Sequence, residues 1–450
     1  MTRQDFTSGP PLKAMLLFTV PMVIGNLFQQ LYGIADTAIV GQVLGTGALA
    51  AVGSTSSVTY LVSGFTGGLC SGFTIPIARC CGAGDRSLLR KYIANAIWLS
   101  IVFSVTVTLP ALMLCRKILL WMQTPADIMS FAHEYLFTVF SGVPFVVLYN
   151  LASGVMRALG DSRTPLIFLV LSALLNVGLD IVFLLNLHTG VWGAALATVI
   201  SQAFCGLLSF AALQRSNADL FPCVKDLPPR KSLIKDLCLA GVPLGLESSL
   251  TGIGATLLSA SINTLGSTVV ASLTAGNKVL QVLNSPLSCF GVVMAIYVSQ
   301  NLGARNFKRI YSGLRGAFCV CIVYSAVSFS FNQLFNRFAL ALFLPAGQTS
   351  VFAGAQQFLF WNTLFTFSSG FSGLLRCTLQ GVGYSALAMM AGISEMLTRS
   401  VMSFTLIPWL GALGAYLANP IAWSVCAAFL AVVCIFVLPR VEQRVKPNTR

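Results

Sequence analysis

The two halves of this chain repeat one another, and each half is assembled from apolar stretches long enough to cross a membrane. Placing residue 44 over residue 265 sets Leu44-Gly45 on Leu265-Gly266 and Ala50 on Ala271. The same offset sets Gly82-Ala83-Gly84-Asp85 on Gly303-Ala304-Arg305-Asn306. It also sets Gly193-Ala194, Leu196-Ala197 and Ile200 on Gly414-Ala415, Leu417-Ala418 and Ile421. An offset two residues shorter aligns Ser153-Gly154 and Arg157 with Ser372-Gly373 and Arg376. Apolar chains with internal repeats are the pattern of transporters whose substrate site lies at the repeat interface, near the bilayer midplane. The repeat therefore points to alternating access.

Hydrophobic residues are 56% and charged residues 9% of the 450, against roughly 25% charged in a soluble domain. Stretches of about 20 apolar residues span the hydrocarbon core as helix. In the first half they fall at roughly 14–34, 47–78, 93–114, 130–154, 164–185 and 191–213. In the second they fall at roughly 235–261, 268–299, 314–338, 354–378, 384–407 and 410–438. The fold class is thus all-α: a polytopic membrane protein with twelve spans in two pseudo-symmetric six-helix lobes. The second and eighth spans are over-long, so their ends project beyond the bilayer or tilt. Residues 1–213 form the N-terminal lobe and 235–450 the C-terminal lobe. Residues 214–234, carrying Pro222, Pro228 and Pro229 with mixed charges, read as a cytoplasmic linker. The polar N-terminus has no cleavable signal pattern.

The basic residues fix an orientation. With both termini cytoplasmic, only Arg116, Lys117 and Arg337 of the 27 Lys and Arg lie outside, and Lys278 and Arg399 are placed deep within spans. All the rest, from Arg3 to Arg450, lie inside, as the positive-inside rule requires. Loops near Asp127, Leu187 and Gly347 then face outward. An even number of spans per repeat makes the repeat parallel, with its pseudo-twofold axis along the membrane normal. The net charge of +14 sits against anionic headgroups and is spread over separate segments, so no nucleic-acid partner is needed.

Enzyme signatures are missing: there is no Walker A loop, His-Glu-x-x-His or Gly-x-Ser-x-Gly. The 13 cysteines are scattered without CxxC spacing and there are 2 histidines, so neither a disulfide framework nor a zinc site is expected. The chain is read as a non-enzyme without cofactor, and uphill transport must draw on an ion gradient.

Charges inside the spans are where the chemistry belongs, because they are costly there. The acids are Asp36 just past span 1, Asp180 in span 5, Glu247 in span 7 and Glu395 in span 11; Lys278 and Arg399 are the basic counterparts. Asn176 precedes Asp180 by one helical turn and shares its face. Thr198 lies on the next span, joined to span 5 by a short turn. Two carboxylates, an amide and a hydroxyl form an oxygen-rich set for a hard cation such as sodium. Two desolvated carboxylates placed together also suit a proton, and the residue types leave both ions open. Glu247, four residues after Pro243, is either a second coupling or drug-binding carboxylate or a gate near the helix end. Lys278 and the Glu395–Arg399 pair read as a charge network internal to the lobe.

At these residues the chain resembles the bacterial branch of the multidrug and toxic compound extrusion (MATE) family. The carriers are Pro21, Leu31-Tyr32-Gly33-Ile34-Ala35-Asp36-Thr37, Gly82-Ala83-Gly84-Asp85, Asn176-x-x-x-Asp180 and Thr198 in Gly193-Ala194-Ala195-Leu196-Ala197-Thr198. Gln300-Asn301-Leu302-Gly303-Ala304 and Glu395-Met396-Leu397-Thr398-Arg399 complete the set. The resemblance implies a V-shaped pair of lobes exporting amphipathic, often cationic compounds in exchange for Na+ or H+. It implies that Asp36, Asn176, Asp180 and Thr198 form the cation site, ligating Na+ if coupling is to sodium. It makes Pro21 a point where the first helix bends. Partners are then small amphipathic or cationic substrates, the coupling cation and the lipid bilayer of the bacterial cytoplasmic membrane, with the chain acting as a monomer. Some relatives carry further acids in the C-terminal lobe, on spans 7, 8 or 10; this chain has none on span 10.

Two other classes compete. A lipid-linked oligosaccharide flippase would be expected to carry two extra spans and a basic cavity. An intramembrane acyl or prenyl transferase would need a paired-acid metal motif or a catalytic histidine, and neither His133 nor His188 has suitable partners.

Overall fold

A computed structural model describes residues 4–344 and 348–445. Arg3, Lys446, Arg450 and the expected outward loop at Gly347 lie outside these described residues. Among them the chain is helical throughout, in fourteen α-helices joined by short turns.

The longest element, α1 (Pro11–Ala83), has 73 residues. Unbroken, it would run about 110 Å at 1.5 Å per residue, several times the bilayer core. It is broken at Gly45, whose φ of 83° and ψ of −175° lie outside the helical region and are open to glycine alone at little cost. α1 is therefore two spans. Gly266, the repeat partner of Gly45, has φ 94° between α7 (Lys231–Asn263) and α8 (Ser267–Gly303). The repeat shows equally in the caps. Asp85 accepts from Leu88 N–H at 2.9 Å to start α2 (Arg86–Trp121). Asn306 accepts from Arg309 N–H at 3.2 Å to start α9 (Phe307–Ala341). Each cap contributes about 1 kcal/mol to its helix.

Three spans are interrupted. α3 (Met129–Ser141) and α4 (Val143–Ala158) meet at a 41° bend. Gly142 sits at that bend because a Cβ there would lie 2.7 Å from Val199 Cγ2. α10 (Thr349–Leu364) and α11 (Thr366–Gly381) join at Phe365, and α12 (Ser385–Phe404) and α13 (Leu406–Leu410) join at Thr405. With α5 (Arg163–Asp180), α6 (Gly190–Ser216) and α14 (Ala412–Val445), these segments make the twelve spans.

The compact units divide differently from the expected 213/235 boundary. One unit holds residues 20–245; the other holds 5–19 and 246 onward. In the first unit the start of α7 packs so closely on the second arm of α1 that only glycines fit. A Cβ on Gly68 would meet Leu244 O at 2.5 Å, and Gly72 lies against Gly241. Asp226 pairs with Arg90 at 3.2 Å, and Trp98 Nε1 donates to Leu227 O at 2.9 Å, holding the connecting segment on α2. In the second unit the residues before α1 are held by α8 and α9. Arg309 donates to the carbonyls of Phe6, Ser8 and Gly9 at 2.9, 3.0 and 2.8 Å. Asn301 Nδ2 donates to Phe6 O at 3.1 Å, and the Phe6 ring packs edge-on against Tyr297. Sequence pattern misses both features because each depends on a contact between segments far apart in the chain.

Candidate functional site

The first arm of α1 carries Asp36 as a buried residue well inside the helix. The sequence reading placed it just past the end of its span. The helix instead continues to the glycine break, because a polar side chain that faces other polar groups does not terminate it. α5 brings Asn176 and Asp180 one turn apart, both buried, and α6 brings Thr198 against them. With its amide oriented to satisfy both ends, Asn176 donates to Asp180 Oδ2 at 3.0 Å and accepts from Thr198 N–H at 3.2 Å. The Asp36 and Asp180 carboxyl groups lie within hydrogen-bonding reach of one another. The four predicted residues are thus one cluster. Sequence reasoning missed Tyr32, whose hydroxyl reaches Thr198, and nearby Tyr135 of α3 packs against the apolar cluster of Val40 and Leu184. Tyr32 precedes Asp36 by one turn, a helical spacing that places them on one face.

What the cluster lacks is a positive charge. Among the described residues neither Asp36 nor Asp180 joins an ion pair, and Oδ1 of each is buried with no hydrogen-bond donor. Two uncompensated carboxylates in contact and out of water repel and forfeit solvation. The donor set therefore fits a cation or a proton, with the two orphaned oxygens as its first partners.

One side of this cluster is closed by an apolar plug: Val40, Ala48, Leu184, Val191 and Ala194, all buried. Val40 and Leu184 each stand one turn beyond a site carboxylate. On the other side lies a cavity of ≈ 260 Å³ lined by Gln29, Tyr32, Asn150, Asn176, Thr198 and Gln202, among others. The cavity meets the cluster at Tyr32, Asn176 and Thr198, within one unit. Immediately after Asp180 the chain passes through a π-helical turn, Ile181–Asn186, a widened segment of the kind frequently found at functional sites. Pro21 lies within the helical run of α1, where it removes one backbone hydrogen bond.

The second unit holds a different cluster. Arg376 of α11 lies between two acids, pairing with Glu247 Oε1 at 2.9 Å and with Glu395 Oε1. Arg399 pairs with Glu395 Oε2 at 3.5 Å, one turn along α12. Gln380 donates to Glu247 Oε2 at 3.2 Å. Two carboxylates and two guanidinium groups balance, so this site demands no cation. Arg376 is the residue sequence reasoning overlooked, having been counted with the cytoplasmic basic residues; its place in the repeat opposite Arg157 was the available signal. Lys278 is a correction. Expected in the same internal network, it is exposed on α8, and among the described residues no ion pair engages it.

A multi-pass helical protein of two like-built units, with apolar helices long enough to cross a membrane, has the architecture of a membrane transporter. The MatE family profile matches residues 21–182 and 243–405, one match in each half of the repeat, and the chain belongs to that family. It is 27% identical over 433 residues to the probable multidrug resistance protein YpnP of Bacillus subtilis, covering 96% of each chain. It is 26% identical to the multidrug export protein MepA of Staphylococcus haemolyticus, over 96% of this chain and 95% of that one. Its fold is similar to a solved outward-facing multidrug resistance MATE family transporter of the MOP superfamily. That match has a TM-score of 0.91 at 23% identity, covering 100% of this chain and 99% of the other.

Proposed function

We propose that this protein is a secondary active multidrug exporter of the bacterial cytoplasmic membrane, expelling amphipathic, often cationic compounds in exchange for Na+ or H+ by alternating access. The observation that carries the proposal is the uncompensated Asp36–Asp180 pair, beside a cavity that Tyr32, Asn176 and Thr198 line. Relatives named for multidrug resistance and export support the substrate class.

The chemistry follows from charge compensation. A cation or proton on the pair lets the site sit closed within the membrane. Its departure leaves carboxylate charge that needs either water or a cationic substrate, so occupancy by ion and by drug are opposed. Binding reciprocity then makes each weaken the other. Pro21, with one hydrogen bond of its helix missing, gives α1 a place to bend in response.

In proteoliposomes an imposed Na+ or H+ gradient should drive ethidium movement, and the ion that does so is the coupling ion. Absence of transport under either gradient, for ethidium and for a fluoroquinolone alike, would overturn the proposal. Orientation is tested by single cysteines in a cysteine-free background. A membrane-impermeant maleimide should reach Arg86→Cys and Lys308→Cys only in inside-out vesicles. It should reach Asp127→Cys and Leu187→Cys only from outside intact cells. A site reactive from the wrong face breaks the inside-termini topology.

A further inference from the structure

An open groove of ≈ 690 Å³ runs between α9, α11 and α14, wholly within the second unit. Phe318 of α9 and Ala431 and Leu438 of α14 line it, and α11 contributes Phe371 and Leu375. Phe318 and Phe371 meet edge-on, with ring centroids 4.8 Å apart. Both α9 and α14 are long and apolar enough to cross a membrane. Exposed Ile322 and Val432, each one turn from a lining residue, carry the apolar surface outward from the groove. Left empty against hydrocarbon, such a groove forfeits dispersion contacts along its walls. A lipid tail supplies them.

One end of the groove is charged. The apolar run of α14 ends at Pro439, and Arg440, Glu442 and Arg444 follow. α9 begins at the same end, because the Tyr311 hydroxyl donates to Glu442 Oε2 at 3.3 Å. Lys308 stands one turn before Tyr311 and Arg315 one turn after it, both exposed. Among the described residues no ion pair engages either. Side chains lean toward the N-terminus of their helix, so Arg315 leans toward this end. Charges gathered in this way belong at the headgroup layer rather than in hydrocarbon. From Pro439 to Ala427, both lining the groove, α14 rises about 18 Å. Half the hydrocarbon thickness is about 15 Å. The groove is as long as one leaflet is deep.

We propose that this groove binds an anionic phospholipid, one acyl chain lying along Phe371 and Leu375 and the phosphate resting on Lys308 and Arg315. The arginine fork matches a phosphate in geometry as well as charge. A zwitterionic headgroup brings an ammonium of its own, which the two cations repel. A second copy of the chain fits poorly, because a twofold pair using this face sets Lys308 and Arg315 near their own duplicates.

The first test uses the wild-type protein. It is reconstituted with a trace of phosphatidylglycerol carrying a diazirine midway along one acyl chain. Illumination should label peptides containing Phe318, Phe371 or Ala431. Excess phosphatidylglycerol should suppress that labelling, and excess phosphatidylethanolamine should not. Labelling scattered over the apolar surface, or suppressed equally by both lipids, overturns the proposal. The second test separates headgroup from tail by native mass spectrometry of the purified protein with each lipid. Lys308→Gln and Arg315→Gln should each weaken retention of phosphatidylglycerol about fivefold and leave phosphatidylethanolamine unchanged. Equal loss of both lipids, or of neither, overturns the headgroup role. Ala431→Trp fills the groove without touching a charge and should abolish the suppressible labelling of Phe371; labelling that persists overturns the tail site. No arm requires transport, so the site stands or falls apart from the exporter reading.

Discussion

Replacing Asp36 by Asn should abolish gradient-driven export while leaving a folded, inserted protein. The amide keeps the shape and polarity of the carboxyl but neither holds a charge nor gains and loses a proton. Asp180→Asn should do the same, and the double substitution should add little if both residues complete one site. The carboxyls lie within reach of one another and each has an orphaned oxygen, so removing either charge takes away half of the negative charge that a coupling cation would neutralise. The decisive readout is equilibrium drug binding rather than transport. In the wild-type protein drug affinity should fall as the coupling ion saturates, and in Asp36→Asn that dependence should vanish with affinity fixed at one level. Full export with an unchanged response to the gradient in Asp36→Asn would remove the first unit from coupling.

The parts of this site that were legible in sequence were those written in local spacing. Asn176 and Asp180 are one turn apart, Thr198 lies on the following span, and charge within apolar runs marks itself. Gly45, Asp85 and Asn306 were legible as repeat partners, while the break at Gly45 and the capping of α2 and α9 emerge from the structure. What sequence withheld was pairing. Nothing local says that Arg376 reaches both Glu247 and Glu395, or that Lys278 points out of its unit while Glu395 and Arg399 point in. The unit boundary was hidden for the same reason, because Gly68 and Gly72 of α1 choose the start of α7 as their partner through contact alone.

The repeat also explains why the two units hold different charges. At the offset that pairs Arg157 with Arg376, Asn176 falls on Glu395 and Asp180 on Arg399. The same helical turn thus carries a carboxylate without a basic partner in one unit and a carboxylate with its own guanidinium in the other. Arg376→Met tests this reading. It leaves Glu247 and Glu395 facing Arg399 alone, an excess of one buried negative charge, and should destabilise the protein by about 3 kcal/mol or more. Thermal unfolding of the detergent-solubilised protein measures it. Adding Glu247→Gln returns the cluster to one balanced pair, Glu395 with Arg399, and should recover more than half of the loss. Glu247→Gln alone should leave the ion dependence of drug binding intact, as a residue of a self-neutralised network must. An Arg376→Met protein as stable as wild type, or one that Glu247→Gln weakens further, would show that the second cluster is not held by charge balance. Glu247 would then return as a coupling carboxylate, with a cation of its own to bind.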